Sequence, residues 1–131
     1  MARKRMVVVD SEKIEWETVE HALERLARGD EGTRAPEVVK RAWVKVLNYD
    51  EETGAVALLC KFDKGFHESK HTHPSDNCFT VLEGKGVVLE GNEIKRGMYI
   101  FTTAGVEHGP LEAPEGCVLF AYFNGPLLGS R

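Results

Sequence analysis

Between Lys40 and Phe123 the apolar residues fall into short runs broken by glycine-bearing turns. Arg41-Ala42-Trp43-Val44-Lys45-Val46-Leu47-Asn48-Tyr49 alternates in part, and Asp50-Glu51-Glu52-Thr53-Gly54 after it has turn composition. Ala55 to Phe62 is almost continuously apolar, the pattern of a strand covered on both faces. Cys78–Leu82, Val87–Leu89, Tyr99–Phe101 and Val118–Phe123 follow, separated by Gly84-Lys85-Gly86, Gly91-Asn92 and Arg96-Gly97. Short strands spaced in this way predict an all-β sandwich or barrel. The period changes upstream. Trp16, Val19, Leu23, Leu26 and Ala27 share one face at helical spacing, which predicts one amphipathic helix over 15–28 with Gly29 as its C-cap. Met6-Val7-Val8-Val9 reads as an edge strand, 29–36 as polar loop, and Gly125-Pro126-Leu127-Leu128-Gly129 as a tail leaving the last strand. The expected layout is a strand-and-helix extension over 1–39, a barrel over 40–125 and a C-terminal tail over 126–131.

The 131 residues fit one domain, and 42% hydrophobic residues are enough to fill its core. A net charge of −4 without a basic stripe argues against a nucleic-acid partner, and Arg3-Lys4-Arg5 is expected to be a solvated tail. No apolar stretch approaches the roughly 18–20 residues that cross a bilayer, and no signal-peptide pattern opens the chain, so neither membrane nor secretion is expected. The cytoplasm is the default location. The three cysteines, Cys60, Cys78 and Cys117, form no Cys-x-x-Cys pair and lie inside apolar runs, which predicts reduced, buried thiols.

Candidate chemistry begins at His71-Thr72-His73. On an extended chain residues i and i+2 point the same way, so the two imidazoles can converge on one ion, and Pro74 then ends the strand at a rim. Gly105-Val106-Glu107-His108 offers a third imidazole from a distant turn. Three ligands from two segments leave coordination positions open, as a catalytic metal requires and a structural one does not.

The stretch Gly65-x5-His71-x-His73-x3-Asn77-x6-Gly84 resembles the first motif of the cupin superfamily, and Gly97-x5-Thr103-x-Gly105-x2-His108-x3-Glu112 resembles the second. The resemblance covers roughly 40–125. It implies a double-stranded β-helix, a small jelly-roll-like RmlC-like barrel, with a divalent transition metal in its mouth. The tail Tyr122-Phe123-Asn124-Gly125-Pro126-Leu127 is similar to that of a subgroup holding dioxygenase-like cupins and the cupin half of zinc-binding anti-sigma factors. Three positions depart from the pattern. Asn77 stands where the motif carries its carboxylate ligand, Thr103 replaces a proline, and Glu112 replaces an asparagine. Without the carboxylate, three neutral histidines leave the ion a charge of about +2, which favours an anionic or enolisable substrate. Cupin dioxygenases of β-diketones and thiol acids are similar in using three histidines, so the resemblance implies Fe(II), with zinc, nickel or manganese as other occupants. Asn77 could donate its amide oxygen, hold a water, or take no part.

These signals lead to three functional expectations. The first is a mononuclear Fe(II)-dependent dioxygenase acting on a small organic anion. The second is a non-catalytic zinc or ligand sensor. Residues before 40 hold only His21 and no cysteine, so the sigma-binding part of an anti-sigma factor is not expected there. The third is a metal-dependent isomerase or lyase with Tyr99, Tyr122 or Glu112 as base. Phe79 and Val81 share the face of Asn77 and are expected to line the pocket. Tyr99, Phe101, Phe120 and Tyr122 are further wall candidates, of which some must face away. His67 and His21 are expected to be exposed. Glu68, Asp76 and Glu107 are carboxylates near the ligands in sequence, any of which could rescue a carboxylate site, but they stand on expected loops, which usually face solvent. Cys78 is expected to face away from Asn77. A homodimer using the 15–28 helix and the 6–9 run completes the expectation.

Overall fold

The computed structural model describes residues 6–27 and 41–127. In chain order the elements are β1 (Glu17–Thr18), α1 (Val19–Ala27), β2 (Ala42–Tyr49), β3 (Val56–Phe62), β4 (Phe66–Glu68), β5 (Asn77–Gly84), β6 (Val87–Leu89), β7 (Asn92–Ile94), β8 (Tyr99–Thr102), β9 (Leu111–Ala113) and β10 (Cys117–Phe123). They form two antiparallel sheets, one in the order β1-β2-β3-β10-β5-β8 and one in the order β4-β9-β6-β7. This is the all-β, two-sheet architecture that the strand spacing predicts. Among the described residues no helix is long and apolar enough to cross a membrane.

Side chains alternate across a strand, and burial follows that period. Val56, Leu58 and Cys60 of β3 are buried, as are Cys117, Leu119, Ala121 and Phe123 of β10. Phe66, Val87, Leu111 and Ala113 answer them from the smaller sheet. The helix closes the core with Val19, Ala22 and Leu23. Thr18 starts it, its hydroxyl accepting the backbone N–H of His21 at 3.1 Å.

Several expectations are corrected. Residues 6–9 form no strand; Met6 and Val8 are fully out in solvent, and their backbone meets no partner strand among the described residues. The helix begins at Val19 rather than 15, because Glu17 and Thr18 pair with Val44 and Trp43 of β2. Trp16 therefore sits outside the helix, with the Lys61 and Lys45 ammonium groups 4.6 and 4.9 Å from its ring centroid. Gly29 lies outside the described residues. The run 55–62 is buried on one face only, its other face being partly covered. The segment around His67 is a strand, β4, and not a loop; β7 and β9 likewise occupy stretches without a strand pattern. Each has only three residues, one or two of them polar and exposed, too short to show a period.

Burial holds the Cys60 and Cys117 thiols protonated, pushing both up to about 12, whereas Cys78 is half-buried on the outward side of β5. A thiol reagent is expected to modify one cysteine of the native chain and all three after denaturation. Substitution of Cys78→Ser should abolish the native reaction.

Candidate metal centre

His71 and His108 face each other across an isolated antiparallel bridge. The N–H of each donates to the carbonyl of the other at 3.0 Å. This exchange places the two side chains on the same side, with ring centroids 4.3 Å apart. Gly105 N–H donates to the His73 carbonyl at 2.9 Å, so the second motif also holds the third ligand's backbone. Gly109 permits the approach: its φ is +109°, and a Cβ there would lie 3.2 Å from Lys70 Cα and 3.3 Å from Ser69 O. His71 is a one-residue bridge and His73 lies outside any strand, yet the two rings meet at the cavity, Nε2 to Nε2.

Each ring is oriented by its Nδ1. His71 Nδ1 donates to Ser69 O at 2.8 Å, His73 Nδ1 to Leu127 O at 2.9 Å, and His108 Nδ1 to Val106 O at 3.0 Å. A carbonyl oxygen can only accept, so each Nδ1 carries its ring's proton and each neutral ring keeps a bare Nε2. The potential ligand atoms of the three rings lie within 4.8 Å of one another, and Nε2 of His71 is 3.1 Å from Nε2 of His73. At that separation either one Nε2 carries a proton that the other accepts, or both lone pairs are turned to a shared cation. Nitrogens about 2.0–2.1 Å from one ion subtend roughly 100° at this spacing, so the His71–His73 pair has the separation a divalent transition metal requires, and His108 supplies the third imidazole beside it. Burial is the main cause that pushes His73 down to about 4, reinforced by His71 and His108 and opposed by its bond to Leu127; the ring is neutral at pH 7.

Glu68 of β4 joins this group. Its Oε2 is 3.6 Å from His71 Nε2, and its side chain is 21% exposed. Burial raises its carboxyl above the usual range, opposed by His71 and His67. Asp76 has a different role. Its Oδ1 accepts from Ala104 N–H at 2.8 Å, and its backbone N–H and C=O pair with the Asn124 side chain and N–H, both at 3.0 Å. It clamps the two motifs to the end of β10. Glu107 is exposed, and Glu112 lies on β9 with its Oε2 3.4 Å from His67 Nδ1, outside the barrel. His67 and His21 are exposed, as expected.

The histidines open onto a cavity of about 470 Å³ inside the barrel. Asn77 and Phe79 line it, with Asn77 buried and its Nδ2 3.5 Å from Ser75 O. Val81 points inward but is packed in the core beyond the cavity. Tyr99, Phe101, Phe120 and Tyr122 do not line it; Tyr99 and Phe101 are 64% and 56% exposed. The reason is register. Cys78 faces Phe101 and Tyr122, and Thr80 faces Tyr99 and Phe120. Directly paired residues share a face, and with Asn77 inward all four aromatics turn outward. The wall is built instead by Leu58, Leu119, Ala121, Phe123 and Val44, with Leu23 from α1. Neither Tyr99, Tyr122 nor Glu112 can therefore act as base on a group inside. Sequence reasoning undervalued Glu68, where the inward parity of Phe66 was the available signal. It missed the carbonyls of Ser69, Val106 and Leu127, which carry no side-chain signal. Leu127 also corrects the tail: 126–127 turn back over the mouth rather than leave it.

The sequence model of the ChrR cupin-like domain family matches residues 33–128. No curated protein matches the chain. Among solved structures, an RmlC-like cupin from Shewanella frigidimarina superposes with TM-score 0.63 at 21% identity, covering 96% of this chain and 95% of that one. An acetylacetone dioxygenase from Acinetobacter johnsonii gives 0.61 at 16% identity, with 100% and 90% covered. A chain of the Rhodobacter sphaeroides SigE complex with the anti-sigma ChrR gives 0.54 at 20% identity, over 76% of this chain and 54% of that one. These similarities establish the fold.

Two outcomes are expected. A side chain at Gly109 meets the 69–70 backbone in a strained conformation, so Gly109→Ala should cost about 1–3 kcal/mol in denaturant unfolding and weaken zinc binding. For the metal-free chain, His73 takes up its proton near 6.5 when unfolded and near 4 when folded. The unfolded state therefore binds more protons between those values, and stability is lost as pH falls from about 6.5 towards 4. The melting temperature of metal-free protein should drop over that window, and less so in His73→Gln.

Proposed function

Because the chain belongs to the ChrR cupin-like family, we propose that it is a metal-binding cupin working as a mononuclear Fe(II)-dependent dioxygenase on a small, enolisable or anionic organic substrate. The observation that carries this reading is the convergence of three bare imidazole nitrogens at the mouth of an apolar cavity. His71, His73 and His108 would hold the ion through Nε2 and leave positions open towards the cavity. The ion supplies Lewis acidity and a route for electrons to O₂. The chain's own residues do the rest. Leu119, Ala121 and Phe79 accept an apolar body and exclude water, and the buried Asn77 amide offers a polar contact to the substrate's oxygen-bearing end. The likeness to the acetylacetone dioxygenase fold supports the choice of β-diketones as the first class to try.

The match to the ChrR cupin-like model favours one other reading, a zinc- or ligand-binding module without turnover. An oxygen electrode separates the two. Fe(II)-loaded protein given a panel of β-diketones, thiol acids and hydroxyaryl ketones is expected to consume O₂ with at least one. Rates should fall to background in His108→Ala. Tight zinc retention with no uptake on any substrate would favour the second reading, and uptake unchanged in His108→Ala would remove the first.

A homodimer is part of the proposal. Tyr99, Phe101 and Tyr122 form an exposed aromatic face on the larger sheet, and Val7 and Val9 border its other side near Leu47 and Leu59. Light scattering is expected to give twice the 14.6 kDa of one chain, and Tyr99→Arg with Phe101→Glu should return the monomer mass.

A further inference from the structure

The loss of the motif carboxylate at Asn77 leaves the cavity mouth with an inward-facing acid from elsewhere. On β4, Phe66 is buried in the core, His67 faces out towards Glu112, and Glu68 turns in again by strand parity. Its carboxylate lines the cavity beside His71, His73 and His108. Among the described residues no lysine or arginine forms an ion pair with it; its partner is His71, with Oε2 3.6 Å from Nε2. Nδ1 of the same ring is engaged with Ser69 O at 2.8 Å, which leaves Nε2 as the ring atom turned towards Glu68. A carboxyl group and an imidazole nitrogen, both able to ligate a metal, thus face each other at the edge of a largely apolar cavity. A divalent cation seated there would be within reach of both donors.

The geometry points to Glu68 as a fourth protein donor of the metal site, entering from β4 on the sheet that faces the strand of Asn77. This inference rests on the metal-binding reading above and refines it. With one carboxylate the protein reduces a divalent ion's charge from about +2 to about +1, as the motif glutamate would have done from β5. Glu68 converges less tightly than the three rings do, so its approach to the ion needs a turn of its own side chain. The site then has three fixed ligands and one adjustable one.

The test uses the full chain, stripped of metal and titrated with Co(II) and Zn(II) against a chromophoric chelator. For Glu68→Gln, of nearly equal shape, the expected result is a loss of Co(II) and Zn(II) affinity of at least about tenfold and an altered visible Co(II) spectrum. Equal affinity together with an unchanged spectrum would overturn the inference. A crystal of the zinc-loaded, unaltered chain gives an independent reading that needs no variant. A Glu68 oxygen about 2.0–2.2 Å from the ion is expected, and one beyond about 3 Å, with no bond, would also overturn it. Failure of the unaltered chain to bind either metal would instead sink the proposed function itself.

Discussion

Everything at the mouth of the barrel depends on three hydrogen bonds that face away from it. Each histidine donates its Nδ1 proton to a backbone carbonyl: Ser69, Leu127 or Val106. These bonds choose the tautomer and the ring plane together, so the lone pairs turn towards a common point. Rings free to flip would offer a mixture of donors and acceptors, and the ion would have to order them on binding. Here that ordering is already built into the fold.

Two different parts of the chain provide the support. His71 and His108 hold one another through their reciprocal backbone bridge, and their orienting carbonyls lie two residues back along the chain in each case. His73 depends on a distant residue, since Leu127 belongs to the segment after β10. That segment is fastened by Ser75 Oγ donating to Pro126 O at 2.8 Å and by the Asp76–Asn124 pairing. The end of the last strand is thus part of the site's scaffold, although no side chain in it resembles a ligand or a catalytic group.

How far the sequence could be read follows from the range of the signals. The histidine pair and the Gly-x-x-His turn are local patterns whose spacing carries geometry, and the structure brings those three residues together. Strands with long apolar runs were legible; β4, β7 and β9, three residues each, were not. The pocket wall illustrates a harder limit. Parity within one strand is readable, so Phe79 follows from Asn77. Parity between strands needs the register, which depends on turns and on irregularities such as the shift between Val118 and Leu119 in β10. Four aromatics were therefore candidates for the wall, and the register turns all four outwards.

The hollow interior has a consequence for chemistry. Leu58, Leu119 and Ala121 are core residues by burial, yet they also line the cavity, so the surface that stabilises the barrel is the one a substrate would meet. A wall of this kind distinguishes guests by shape and apolar area and has few polar contacts with which to orient them. Orientation must come from the mouth, where the polar groups Asn77, Glu68 and the three rings are gathered. Binding strength and reaction geometry are thereby assigned to different residues. Substitutions along the wall would change which molecules enter, while the imidazoles and the carbonyls behind them would continue to set where the reacting end lies.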